Sequence, residues 1–181
     1  MLYPDLLIPN ATERITIDNK TVEIPKCILK FDKWEGQPIE NTFGRKPLLD
    51  FEGKPVFAEL LISHIFRNAG WDSRWIETYG KPNLFPIYLM DWKDTAYKNQ
   101  LNHPIKSKKI NQLLEEIAKT NNNTFGGCWD ILAWKDDFVL FAESKRSKKD
   151  SIRSTQVNWI NAGLKVGLKT SNFMMVEWEI K

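Results

Sequence analysis

A chain of 181 residues, 42% hydrophobic and 27% charged, is long enough for one domain with its own core and has an ordinary soluble composition. No stretch approaches 18 consecutive apolar residues, so no membrane span is expected, and two isolated cysteines with only two histidines argue against a disulfide framework or a zinc site. A net charge of +3 permits a polyanionic partner without requiring one; the start, MLYPDLLIPN, lacks a signal peptide's basic and apolar regions, so a cytoplasmic protein with no membrane partner is expected.

Residues 14–24, RITIDNKTVEI, alternate around Asp18-Asn19 and predict a β-hairpin. Scattered Pro and Gly make residues 25–54 read as loop, so residues 1–54 form an N-terminal extension carrying that hairpin. Pro55 suits the first turn of a helix and Gly70 suits its stop. Between them Phe57, Leu61, His64, Ile65 and Ala69 share one face, with Leu60 beside them. SRWIETYG, residues 73–80, reads as a short strand. Residues 80–104, with Pro82, Pro86 and Pro104, carry no clear pattern. Residues 107–119 place Ile110, Leu113, Leu114 and Ile117 at the spacing of an amphipathic helix. Residues 80–125 together read as an insertion. CWDILAW and DFVLFAE flank a turn at Asp136-Asp137 and predict a second hairpin. Ser154 is expected to cap the helix TQVNWINAGLKV, with Gly167 ending it, and FMMVEWEI closes the chain as a buried strand. Over residues 55–181 the order is helix, strand, insertion, strand, strand, helix, strand. It predicts an α/β sandwich around a central mixed sheet.

Chemistry concentrates at one end of the second hairpin. Glu143 and Lys145 alternate onto one face of a strand. A turn near residue 136 sets Asp130 opposite residue 142 or 143. Two carboxylates that close repel unless protonated or bridged by a cation. Hard oxygen donors of this kind suit Mg²⁺ or Mn²⁺. An ammonium at Lys145 can hold or deprotonate a water, or neutralise charge on a phosphate. Gly126 and Gly127 let backbone approach a phosphate. Taken alone, Glu-x-Lys at a strand end is the pattern of a solvated ion pair; the register with Asp130 is what distinguishes it. Glu59 sits within an apolar helix, where a carboxylate is costly without a partner. Gln156 opens the last helix and can hold a phosphate or a water, whereas Trp159 suits packing. The loop SKRSKKDSIR adds Arg146, Lys148, Lys149 and Arg153, placed for phosphate contacts with nucleic acid.

Glu59 in a first helix, Asp130 opening a strand, Glu143-Ser144-Lys145 closing the next and Gln156-Val157-Asn158-Trp159 in a helix resemble the PD-(D/E)XK nuclease superfamily. The Gln-x-x-Trp helix after a charged loop is most similar to its VRR-NUC branch. The resemblance covers about residues 55–181, with Trp129 standing where the superfamily motif has proline. It implies a restriction-endonuclease-like αβββαβ core and Mg²⁺-dependent hydrolysis of phosphodiester bonds in DNA, leaving a 5′-phosphate. It implies Asp130 and Glu143 as metal ligands, Glu59 as an auxiliary ligand, Lys145 positioning water and Gln156 as a helper. The branch includes enzymes acting on branched or flapped DNA, and related resolvases are commonly homodimers. The alternative is a non-catalytic nucleic-acid-binding or assembly module on the same fold, using the basic loop and exposed aromatics. No P-loop, GxGxxG or nucleophile triad points to a small-molecule enzyme. A nuclease requires Asp130, Glu143, Lys145, Glu59 and Gln156 to converge on one pocket beside the 145–153 loop.

Overall fold

The computed structural model describes residues 3–40, 42–78 and 85–181. Asp18 and Asn19 both take left-handed backbone angles, φ 47° and 63°, the two-residue turn whose twist suits a hairpin. From it β1 (Ala11–Ile17) and β2 (Lys20–Phe31) run antiparallel. The hairpin stands where the sequence puts it, but β2 continues through residues 25–31, which read as loop. Pro25 hides that continuation. It lies just before Lys26, where the pairing of β2 with a strand on its other side begins, so its missing N–H breaks no ladder there.

The loop expectation fails again at β3 (Leu49–Phe51) and β4 (Lys54–Val56), a small separate hairpin turning at Glu52-Gly53 with φ 54° and 75°. Pro55 therefore sits in β4 opposite Asp50, not in a helix, and α1 (Ala58–Asn68) starts after Phe57. Ala58, Leu61, Ile62, Ile65 and Phe66 bury against the sheet. Phe57 and Leu60 instead join Trp75 and Leu89 in a separate cluster, and His64 stacks on Phe51 at 5.2 Å. Gly70, with φ 77°, follows the helix as expected.

β5 (Asp72–Glu77) comes next; Tyr79 and Gly80, the expected end of that strand, and Pro82 lie outside the described residues. The insertion contributes β6 (Ile87–Leu89), paired antiparallel to β5, and α2 (Lys108–Thr120). Ser107 Oγ accepts from the Ile110 N–H at 3.4 Å and caps α2. Ile110, Leu114 and Ile117 are buried, and Leu113 is half-buried. β7 (Ile131–Lys135) and β8 (Phe138–Arg146) form the second hairpin, followed by α3 (Ser154–Lys165) and β9 (Phe173–Ile180). Ser154 is the first residue of α3 rather than its cap. Gln156 Oε1 accepts from the Arg153 N–H at 2.9 Å and satisfies that one donor of the helix end instead.

Seven of the nine strands described make one mixed sheet in the order β1-β2-β9-β8-β7-β5-β6, with β9 parallel to both of its neighbours. α1 packs on one face, against Leu140, Ala142, Met174 and Val176. α2 and α3 pack on the other, against Leu132, Phe141, Phe173 and Met175. Two-sided burial explains why β8 and β9 read as continuous apolar runs rather than alternating ones. Trp159 is fully buried against Phe125 and Phe141, a packing residue. Among the described residues, no helix is long and apolar enough to cross a membrane.

Candidate active site

Successive β8 side chains point to opposite faces, so Glu143 and Lys145 share the face that carries Phe141. Ile131 pairs with Ala142, and one step further along the ladder Asp130 faces Glu143. The Asp130 carbonyl accepts from the Ile76 N–H at 2.7 Å, so β5 pins the same residue from its other side. Glu59 in the first turn of α1 and Gln156 in the first turn of α3 reach this mouth from opposite faces of the sheet. Asp130, Glu143, Lys145, Glu59 and Gln156 all line one cleft of about 670 Å³.

Their contacts interlock. Lys145 Nζ lies 2.9 Å from Glu143 Oε1 and donates to Gln156 Oε1 at 3.1 Å. Gln156 Nε2 donates to Glu143 Oε1, so one carboxylate oxygen is held from two sides. The other, Glu143 Oε2, accepts from the Asp130 N–H at 3.3 Å. Asp130 Oδ2 in turn accepts from the Ser144 N–H at 3.1 Å. The Asp130 and Glu143 carboxyl groups are themselves within hydrogen-bonding reach of each other. Glu143 is 1% exposed. Burial first, and then the Asp130 charge, push its carboxyl well above the ordinary range, against the pull of Lys145. Asp130 is also raised, by burial and then by Glu59, against Lys46, Lys145 and the Ser144 N–H.

Such a pair fits a hard divalent ion: two oxygen donors that repel one another are relieved by one cation between them. Among the described residues, no three His, Cys, Asp or Glu side chains form a ready ion cage. Two carboxylates suffice for Mg²⁺, which is usually held by one or two and keeps several waters. Glu59 lines the same cleft, but its Oε1 lies 2.6 Å from Lys46 Nζ. Cys128 also lines the cleft; burial, Glu143 and Asp130 push its thiol well above the ordinary range, which disfavours the thiolate that a nucleophile needs.

Of the loop's basic residues, only Lys145 and Arg153 line the cleft. Lys148 and Lys149 are exposed outside it, and the Arg146 guanidinium lies 5.8 Å over the Trp178 ring. Asp150, from the same loop, lines the cleft as well and accepts from the Arg146 N–H at 3.0 Å. Gly127 lines the cleft, yet its geometry answers to packing: at φ 81°, an added Cβ would meet the Thr155 carbonyl oxygen at 2.1 Å. Gly126 is held from the insertion, its carbonyl accepting from Asn121 Nδ2 at 3.0 Å.

Lys46 and Glu77 are cleft residues that the sequence did not single out. Lys46 comes from the segment read as loop, and no local pattern marks it. Burial would lower its pKa, but Glu59, Asp130 and Glu77 together outweigh burial and raise it. Five carboxylates line the cleft (Glu59, Glu77, Asp130, Glu143 and Asp150) against three cations, Lys46, Lys145 and Arg153. With all five ionised, that excess of negative charge favours a cationic occupant, whereas the first turns of α1 and α3 present backbone N–H groups suited to an anion. A cation and an anion bound together satisfy both.

No family model matches the chain, and no curated protein or solved structure matches it either.

Proposed function

We propose that this protein is a divalent-metal-dependent nuclease that hydrolyses phosphodiester bonds in DNA, branched or flapped forms included. The observation that carries the reading is the Asp130–Glu143 pair, packed together in a cleft with Lys145 and Gln156 on the same carboxylate. The order α1, β5, β7, β8, α3, β9 supports it, since a restriction-endonuclease-like core has the same αβββαβ sequence of elements.

Asp130 and Glu143 would hold the ion. When bound, Mg²⁺ or Mn²⁺ supplies Lewis acidity at the phosphoryl group and makes water more acidic. Lys145 has three N–H donors, of which Glu143 and Gln156 engage two among the described residues. The third is free to orient the attacking water or to donate to a phosphoryl oxygen. Gln156 fixes the Lys145 ammonium through an amide that is itself locked to Glu143 and to the Arg153 N–H, which limits reorganisation during the reaction. Arg153 lines the cleft and would contact a neighbouring phosphate. The water gives up a proton to solvent as its oxygen bonds to phosphorus, the bond to the leaving 3′ oxygen breaks, and that oxygen takes up a proton from solvent.

Branched, flapped, single-stranded and duplex DNA incubated with Mg²⁺, Mn²⁺ or EDTA test the reading. Cleavage with either metal and none in EDTA is expected. No cleavage of any substrate, with binding retained, would favour a non-catalytic nucleic-acid-binding module.

A further inference from the structure

The Lys46–Glu59 pair is a built feature of the cleft, not a surface ion pair. Its N···O distance is 2.6 Å and the Glu59 side chain is 11% exposed. Lys46 is also held from its aromatic side, its Nζ 4.8 Å from the Trp75 ring centroid and 5.4 Å from that of Phe43. Both rings attract a cation through their faces. The turn before it is shaped to deliver it: Gly44 and Arg45 take left-handed φ angles of 64° and 58°. Its charge acts on Glu59, Asp130 and Glu77, three of the five cleft carboxylates.

We propose that the Lys46 ammonium takes the place of a second divalent ion, so that the cleft binds one ion, on Asp130 and Glu143, and Glu59 stays off it. The proposal rests on the metal-dependent reading above and says how that site is loaded. Two-ion phosphodiester sites place their cations about 4 Å apart, to stabilise the attacking and the leaving oxygen. Here a fixed ammonium supplies the second positive charge. It neutralises a phosphate oxygen but cannot polarise a water as an ion does. Charge agrees with this count. With every cleft carboxyl ionised, as an ion displacing the Asp130 and Glu143 protons would leave them, the carboxylates exceed the cations by two, the charge of a single divalent ion.

Mn²⁺ titrated into ion-free protein without DNA, followed by calorimetry and by the electron paramagnetic resonance of free Mn²⁺, reads the number directly. The wild type should bind one ion, and Lys46→Met, which releases Glu59, should bind two. The paired variant Lys46→Met/Glu59→Gln removes one charge of each sign and is the variant most apt to keep the fold. It should bind one ion with the wild-type affinity. A wild type that binds two ions or none, Lys46→Met that stays at one, or a paired variant weakened about tenfold or more, as loss of a ligand would do, overturns the proposal. One bound ion without DNA cleavage would sink the nuclease reading and leave this one standing. Two bound ions with cleavage would do the reverse.

Discussion

Asp130 and Glu143 hold each other through the backbone: the Asp130 N–H donates to Glu143 Oε2 at 3.3 Å, and Asp130 Oδ2 accepts from the N–H of Ser144, the residue after Glu143. The exchange closes the mouth of the β7–β8 hairpin and keeps together two carboxyl groups that repel once both ionise. An arrangement that opposes its own electrostatics is expected where a cation belongs.

Asp130→Asn and Lys145→Ala should each abolish cleavage, with losses on the order of 10²-fold or more. Both should remain folded by circular dichroism. In Lys145→Ala the Gln156 amide still donates to the Glu143 carboxylate, so the expected cost in stability is about 1–3 kcal/mol rather than collapse. Cutting by either variant at the wild-type rate would remove these residues from the reaction.

Stability should depend on pH with an unusual sign. Asp130 and Glu143 are acids raised by folding, so the folded chain keeps protons that the unfolded chain has lost. Their contribution is full below the unfolded carboxylate pKa, about 4, and is lost as pH rises through the raised folded values. Glu177 is depressed, first by its hydrogen bond from Lys26 and then by one with Ser147, and works in the opposite direction. The melting temperature of ion-free wild type minus that of Glu143→Gln isolates the site. That difference should fall with rising pH, and Mn²⁺ should flatten it. A difference that rises with pH would contradict the placement of Glu143.

Gly127→Ala should destabilise the protein by several kcal/mol in urea unfolding. It combines a left-handed φ with a Cβ 2.1 Å from the Thr155 carbonyl oxygen, on the first turn of the helix that carries Gln156. Gly53→Ala is the control. It has φ 75° but open space around it, and should cost about 1 kcal/mol. Equal costs would mean that the contact with α3 does not matter.

The basic loop should divide into two behaviours. Lys148→Ala and Lys149→Ala should each weaken binding of a non-cleavable duplex and lower its salt-dependence slope by about one, without changing stability. Arg146→Ala should lower the melting temperature by removing the stack on Trp178, and leave the salt slope nearly unchanged. Anisotropy titrations at several salt concentrations distinguish these outcomes.

Periodicity made the hairpins and the helices legible wherever one face is buried and the other wet. Ile110, Leu114 and Ile117 were readable because α2 has one apolar stripe, and Asp18-Asn19 because that pair suits a two-residue turn. Pro25 and Pro55 misled because proline speaks only of its own missing N–H. Whether a strand tolerates that loss depends on which neighbour pairs there, and β9 lies about 150 residues along the chain.

The same division holds at the cleft. By itself the amino-acid order narrowed the residue opposite Asp130 to 142 or 143 and determined that Lys145 would share the Glu143 side, because a short turn and a two-residue period limit local register; the ladder of the structure then selected Glu143. Only the tertiary structure decided that Lys46 sits against Glu59, that Gln156 closes on Glu143, and that Arg146 packs instead of facing the cleft. Those contacts join segments whose separation in the chain carries no periodic signal; they are set by how α1, α3 and the 43–46 turn pack around the end of the sheet.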